Sequence, residues 1–285
     1  MVERQVRNLK VGSSNLLFST TMKKIIIILA SALICMSADA FTVRNHATVA
    51  YIAEKNLNSK ARKQVAEILH GNHLYEYSSW PDFFRLSMLD EKGKQIGHMY
   101  AVDENYSPIP LTAHKSAYTA VKEAAERLKN DRRNMTDSAR IADLSIIIHL
   151  MGDLHCPSHI RFADNRNKTV KNVIYNMNGK KGADKKVKYH SYWDDFATNT
   201  VYCGGYLDLA QVIDIYGKKE IKEFQKGTLE DWCHDCAVSC KDVYNIEDNA
   251  KIDRRHVVGD VQLVKIQICK AGYRLAKLLN DTLGK

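Results

Sequence analysis

Residues 146–165 read IIIHLMGDLHCPSHIRFADN, and no other stretch of the 285-residue chain constrains its fold as tightly. The run opens as an apolar helix and then sets His149, Asp153, His155, His159 and Asp164 within sixteen positions. Imidazoles and carboxylates are seldom buried unless they are paired or hold a metal. Residues four apart share one helix face, so His149 and Asp153 can grip a single ion. His155, six positions from His149, is turned about 240° around the helix and reads as structural or supporting, not as a ligand. Pro157 stops the helix, and the chain beyond it can bring His159 back toward the same site. The spacing returns at His190 and Asp194 in YHSYWDD. Either pair alone is a common accident of a solvated face.

Helical spacing extends over most of the chain. It predicts helices over 46–57, from the Asn58-Ser59 cap to Gly71, over 112–128, from Asp137 or Ser138 to about His155, and over 260–279. Only 169–175 alternates like a strand. Residues 180–188, strongly basic, read as a surface loop. With 4 Pro, 14 Gly, no repeat and no linker, one all-α domain over residues 41–285 is the expectation.

The first forty residues read differently. Met22-Lys23-Lys24 is a basic start, 25–36 an apolar core and Ala38-Asp39-Ala40 a small-x-small cleavage site. This is a secretory signal peptide whose start is Met22, since the apolar run is shorter than the ~20 residues of a membrane span. Cleavage leaves Phe41 first, and the exported protein is expected in a periplasm or outside the cell. Removing residues 1–40 takes five basic and two acidic groups from the 42 and 33 of the chain, leaving a formal charge of +6. That suits an anionic substrate without selecting one. Six cysteines remain, and an even count in an exported chain suggests disulfides around Cys203 and 233–240. CHDC at 233–236 offers a zinc-knuckle alternative, though it has no second CxxC.

Four more residues complete a constellation: Asp82 in SSWPDFFR, His98 in GHMYAVD, His46, and Phe41, whose free amine and carbonyl can chelate. The order is an N-terminal residue, His five later, W-x-D-x-x-R, a lone His, H-x3-D-x5-H, then H-x3-D. This resembles the exported zinc nucleases of the S1/P1 family, specific for single strands, within the phospholipase C/nuclease superfamily. The match covers nearly all of 41–285, including AGYRLAKLLN near the end.

The resemblance implies a single helical domain with a trinuclear zinc site in a cleft. One Zn²⁺ would be held by Asp82, His98, His149 and Asp153. A second would be held by His159, His190 and Asp194, and a third by Phe41, His46 and a bridging Asp153. Three Zn²⁺ and three aspartates leave about three positive charges to receive a phosphodiester. Two metal ions ~3.5–4 Å apart can generate hydroxide near neutral pH for in-line attack. The resemblance gives Asp82 the role of orienting the water and Arg85 that of stabilising phosphoryl charge. It implies single-stranded DNA or RNA and 3′-nucleotides as substrates, 5′-phosphate products, and a monomer without a protein partner.

The chain departs from the family in places. Phe41 replaces a tryptophan, which matters little where backbone atoms are the ligands. HCPSH stands for HQPLH. Met99, followed by Tyr100, replaces the aromatic residue that stacks a nucleobase, and Asn167 is the candidate for an asparagine whose glycine-rich setting is missing. Met99, Tyr100 and Asn167 are therefore the expected substrate contacts. A zinc phospholipase C is one alternative, against which stand Asp194 in place of Glu and the closeness of His46 to the N-terminus. A zinc-holding protein without catalysis is another, and Arg85 beside the metal argues against it.

Overall fold

Apolar spacing becomes packed helices in the computed structural model. It describes residues 42–284 except 85–87, 91, 112, 113, 167, 176–183 and 203, and except the side chains of 195, 196, 200 and 201. α1 (Val43–Lys55) leads into α2 (Ser59–Ile68), whose start is capped by Asn58 accepting the Ala61 N–H. Gly71, at φ +85°, turns the chain out of this helix, a conformation that favours glycine. Two single-turn helices follow, α3 (Leu74–Tyr77) and α4 (Trp80–Phe83). α5 (Ala117–Asn130) starts later than its apolar spacing predicts, because Ser116 caps it through the Thr119 N–H. α6 (Asp137–Asp153) is capped one residue early by Thr136, and from Asp143 onward every residue is buried.

The helix pattern continues with α7 (Tyr189–Ser191), a π-helical turn (Tyr192–Phe196) and α8 (Ala197–Val201). Three helices that the spacing does not predict come next: α9 (Tyr206–Ile213), α10 (Lys218–Phe224) and α11 (Leu229–Ser239). Each opens with an acid, Asp208, Glu220 or Asp231, accepting the backbone N–H three residues before it. α12 (Arg254–Leu283) outruns its predicted ends because Asp253 caps it through the Arg255 and His256 N–H groups. Among the described residues, no helix is long and apolar enough to cross a membrane.

Two three-stranded sheets sit among the helices. β1 (Tyr100–Val102) pairs antiparallel with β2 (Pro108–Ile109) and parallel with β3 (Ile160–Arg161). β4 (Asn172–Tyr175) lies between β5 (Lys185–Lys188) and β6 (Ala250–Ile252). β5 corrects the expected basic loop: Lys185–Lys188 is a strand, and 180–183 lies outside the described residues. Its lysines tolerate an edge position, where charge blocks further pairing.

The core gathers α1, α5 and α12 around α6. α12 approaches α1 through Gly272, where an added Cβ would stand 2.7 Å from Ile52 Cβ. The expected disulfides are not found among the described residues: Cys156, Cys233, Cys236, Cys240 and Cys269 are buried thiols. Cys236 on α11 and Cys240, which caps its C-terminal end, hold their sulfurs 4.0 Å from each other, about twice the length of the bond. Cys203 is outside the described residues. The zinc-knuckle alternative falls as well, because Cys233 and Cys236 are buried in this helix while His234 faces solvent.

Candidate metal centre

α6 delivers His149 and Asp153 on one buried face, and the other donors converge on them. Parallel pairing of Tyr100 with Ile160 sets His98 and His159 side by side, just ahead of their strands. α1 contributes His46, α4 contributes Asp82, and α7 with its π turn contributes His190 and Asp194.

Asp153 occupies the middle. Its Oδ2 lies 2.7 Å from His98 Nδ1 and 3.3 Å from His149 Nε2. Its Oδ1 lies 3.4 Å from His46 Nε2 and 3.2 Å from His159 Nδ1. Each oxygen of one carboxylate thus faces a different pair of imidazoles. Asp82 Oδ1 is 3.4 Å from His149 Nε2 and 3.9 Å from His98 Nε2. On the far side, Asp194 meets His159 Nε2 through Oδ1 at 3.3 Å and His190 Nε2 through Oδ2 at 3.2 Å. His46 stacks on His149, and His159 on His190. Gly152 makes room for the first stack, since a Cβ there would stand 2.6 Å from His46 Nδ1.

The donors are aimed by their neighbours. His149 Nδ1 donates to the Ser78 carbonyl at 2.8 Å, which leaves Nε2 directed at the cluster. Cys156 Sγ and Ser158 Oγ both donate to Asp194 Oδ1, at 3.2 and 3.0 Å. Asn45 donates to the Asp194 carbonyl, as does the Thr42 amide.

Burial alone would neutralise His149, but the carboxylates of Asp153 and Asp82 override it and raise its pKa to about 10. His159 is driven the same way to about 10 by Asp153 and Asp194. His46 is lowered, first by burial and then by the charge on His149. Asp153 and Asp194 resist the upward push of burial and sit below the usual carboxylate range, held there by the surrounding imidazoles.

This donor set fits metal ions. Asp153 Oδ1, Asp194 Oδ2 and both nitrogens of His159 are buried without a hydrogen-bond partner. Such groups are costly to bury unless something cationic satisfies them. Among the described residues three trios present their atoms closely enough to hold an ion: His46, Asp82 and His149; His98, His149 and Asp153, which shares His149 with the first; and Cys156, His159 and Asp194. Imidazole and carboxylate together suit zinc among the divalent ions.

The structure brings together His46, Asp82, His98, His149, Asp153, His159, His190 and Asp194. Phe41, Arg85 and Asn167 lie outside the described residues. Tyr100 is not a substrate contact: it is fully buried, and its hydroxyl donates to the Cys233 carbonyl at 3.0 Å. β1 is covered on both faces, so a residue one position past Met99 points into the core. Met99 itself lines a cavity next to His98. His155 stays clear of the cluster, with Nδ1 donating to the Met151 carbonyl and Nε2 accepting from Arg274. Cys156, Ser158 and Ser78 carry no periodic signal, and only the CPS between His155 and His159 marks the first two.

No curated protein matches the chain. The family model described as S1/P1 Nuclease matches residues 43–284. The chain belongs to the S1/P1 nuclease family. It is accordingly a nuclease, a hydrolase acting on nucleic acid, and its helical body with two small sheets has the phospholipase C/nuclease fold. The eight converging side chains lie wholly within the matched residues.

Proposed function

We propose that the protein is a zinc-dependent nuclease that cleaves single-stranded nucleic acid and 3′-nucleotides, leaving 5′-phosphates, at a centre of three Zn²⁺. One observation carries this reading: Asp153 Oδ2 faces His98 and His149 while its Oδ1 faces His46, the arrangement expected of a carboxylate that would serve two ions. Asp82, His98, His149 and Asp153 would hold one zinc; His159, His190 and Asp194 a second; His46, Asp153 and the amine and carbonyl of Phe41 a third. Zinc here would supply Lewis acidity and hydroxide at neutral pH.

The mouth of the centre is formed by the partly exposed side chains of Asp82, His98 and His190, at 25, 27 and 27%. Among the described residues the other candidate ligands, His46, His149, Asp153, His159 and Asp194, are buried, so substrate phosphate would meet the cluster along this edge. Burial raises the Asp82 carboxyl and His149 more than reverses this, leaving it ionised at neutral pH. At the mouth it would orient the attacking water, while Arg85, three residues on in the sequence, would stabilise charge on the phosphoryl oxygens. Against the phospholipase reading stand Asp194 in place of a glutamate and the nearness of His46 to residue 41.

Export through residues 22–40 would free Phe41 to act as a ligand, with 41–285 as the functional domain. The test is a substrate panel on protein beginning at Phe41: single- and double-stranded DNA, RNA, 3′-nucleotides and phosphatidylcholine. Cleavage of single strands and 3′-nucleotides, abolished by chelator, with close to three zinc per chain, is the expected result. Hydrolysis of the lipid alone, or one zinc or none, overturns the reading.

A further inference from the structure

Away from the metal centre, cations gather without acids to match. A depression of about 410 Å³ lies between α2, the single 3₁₀ turn (Arg132–Asn134) that joins α5 to α6, and the start of α6. Lys60, Lys63, Arg132, Arg133 and Arg140 line it, against one carboxylate, Glu67. Leu283, near the end of α12, is the sole apolar residue among the described lining and is itself buried. α2 buries Ala61, Val65 and Ile68 against its neighbours, which leaves Lys60 and Lys63, three apart, on a shared outer face.

These charges lack partners. Among the described residues, Lys60, Lys63, Arg132 and Arg133 have no ion pair and no side-chain hydrogen bond. Arg140 donates once, to Asp137 Oδ1 at 3.1 Å, and its Nε is buried without an acceptor. Lys55, Lys115, Lys226 and Lys270, by contrast, each meet a carboxylate. Like charges brought together repel, and a concave wall of one sign concentrates its field on an incoming anion.

α6 serves as a ruler to the metal centre. Arg140 stands in its first turn, with His149 and Asp153 nine and thirteen residues further along. At 1.5 Å per residue, Arg140 lies ~14–20 Å from those two donors. A stacked strand covers that length in about four to six nucleotides, at ~3.4 Å each. Nucleic acid is the polyanion on which this family acts. The groove offers cations from three elements to a phosphate backbone, and no exposed apolar side chain among its described lining to enter a bilayer.

We propose that this groove is a second nucleic-acid site, which holds the phosphate backbone of a strand several nucleotides away from the bond being cut. It goes beyond the metal-centre reading and rests only on nucleic acid as the substrate class. The metal centre cuts, while the groove retains long strands and lets go of fragments too short to reach it.

The experiment compares a single-stranded 24-mer with a trinucleotide, using the metal-loaded wild type and the Lys60→Gln/Lys63→Gln/Arg132→Gln/Arg133→Gln variant. The ratio of kcat/KM for 24-mer over trinucleotide should fall about tenfold in the variant, through KM, as expected for loss of charged contacts. Binding of a labelled phosphorothioate 24-mer, followed by anisotropy, should weaken in parallel. Its log–log salt slope should flatten by ~1.4, the value for two phosphates on a single strand. Lys60→Gln/Lys63→Gln alone, at exposed positions, should give about half that change and keeps the test alive should the quadruple variant melt early. An unchanged ratio and slope overturn the proposal. So does equal 24-mer binding by both proteins when only the wild type sediments with phosphatidylglycerol vesicles, since the surface would then be a membrane contact. A wild type that cleaves neither substrate overturns the nuclease reading, and the salt slopes still decide the groove.

Discussion

Asp194 shows how one atom of a candidate ligand is singled out. Cys156 Sγ and Ser158 Oγ saturate Oδ1, leaving Oδ2, 3.2 Å from His190 Nε2, without a hydrogen-bond partner of its own. The Cys156→Ala/Ser158→Ala variant should hold its most weakly bound zinc about 10–100-fold less tightly, the usual cost of losing such supporting bonds. Competition with a chromophoric chelator measures this, and Cys156→Ser should recover most of it by restoring one donor. Gly152 makes a second case. Alanine there gains ~1 kcal/mol of helix propensity but drives a methyl to within 2.6 Å of His46 Nδ1. Gly152→Ala should therefore fold and lose one zinc by metal analysis, whereas a full metal complement would show that the His46 ring shifts freely. The sequence discloses His149 and Asp153 because residues four apart must share a face. It conceals Cys156, whose partner lies 38 positions away and is reached only by tertiary folding.

Among the elements, those with long periods are the ones readable in advance. α6 and α12 carry enough apolar repeats to declare themselves, and only their ends move with the caps at Thr136 and Asp253. β1, β2 and β3 have two or three residues each, too few for alternation to register, yet their register sets His98 beside His159. α9, α10 and α11 are short and draw their stability from packing, not from pattern. α11 is tied to α12 by Asp235, which accepts from Lys270 at 2.7 Å and from Arg274 at 2.6 Å. Burial raises the Asp235 carboxyl, but Lys270 and Arg274 outweigh it and leave the pKa below the ordinary value. A carboxyl lowered by folding stabilises above its unfolded pKa, ~3.9, and loses that contribution as pH falls through the folded value. Asp235→Asn should thus cost about 1 kcal/mol at pH 7, a charged bond discounted for partial exposure. In urea melts the gap between variant and wild type should close below pH ~3.9.

At the scale of the whole molecule, the metal centre is also the place where the chain's distant segments meet. α1, α4, the approach to β1, α6, β3 and the π turn all end there, so ions bound only by the folded state should stabilise the entire domain. At a free zinc concentration a thousand times Kd, each site adds ~4.1 kcal/mol. This linkage makes the N-terminus testable without measuring catalysis. The Thr42 amide donates to the Asp194 carbonyl at 3.3 Å, which ties the start of α1 to a ligand residue. A free amine on Phe41, as processing after Ala40 would leave it, would serve as a ligand, and an acylated or extended one would not. Protein that begins at Phe41 should contain three zinc per chain; protein retaining residues ahead of it should contain two. The extended form should also melt at a lower temperature in zinc-buffered solution, and the difference should vanish once both forms are stripped with chelator. Equal zinc content with equal melting temperatures would show that the third ion, if bound, takes nothing from the amine of residue 41.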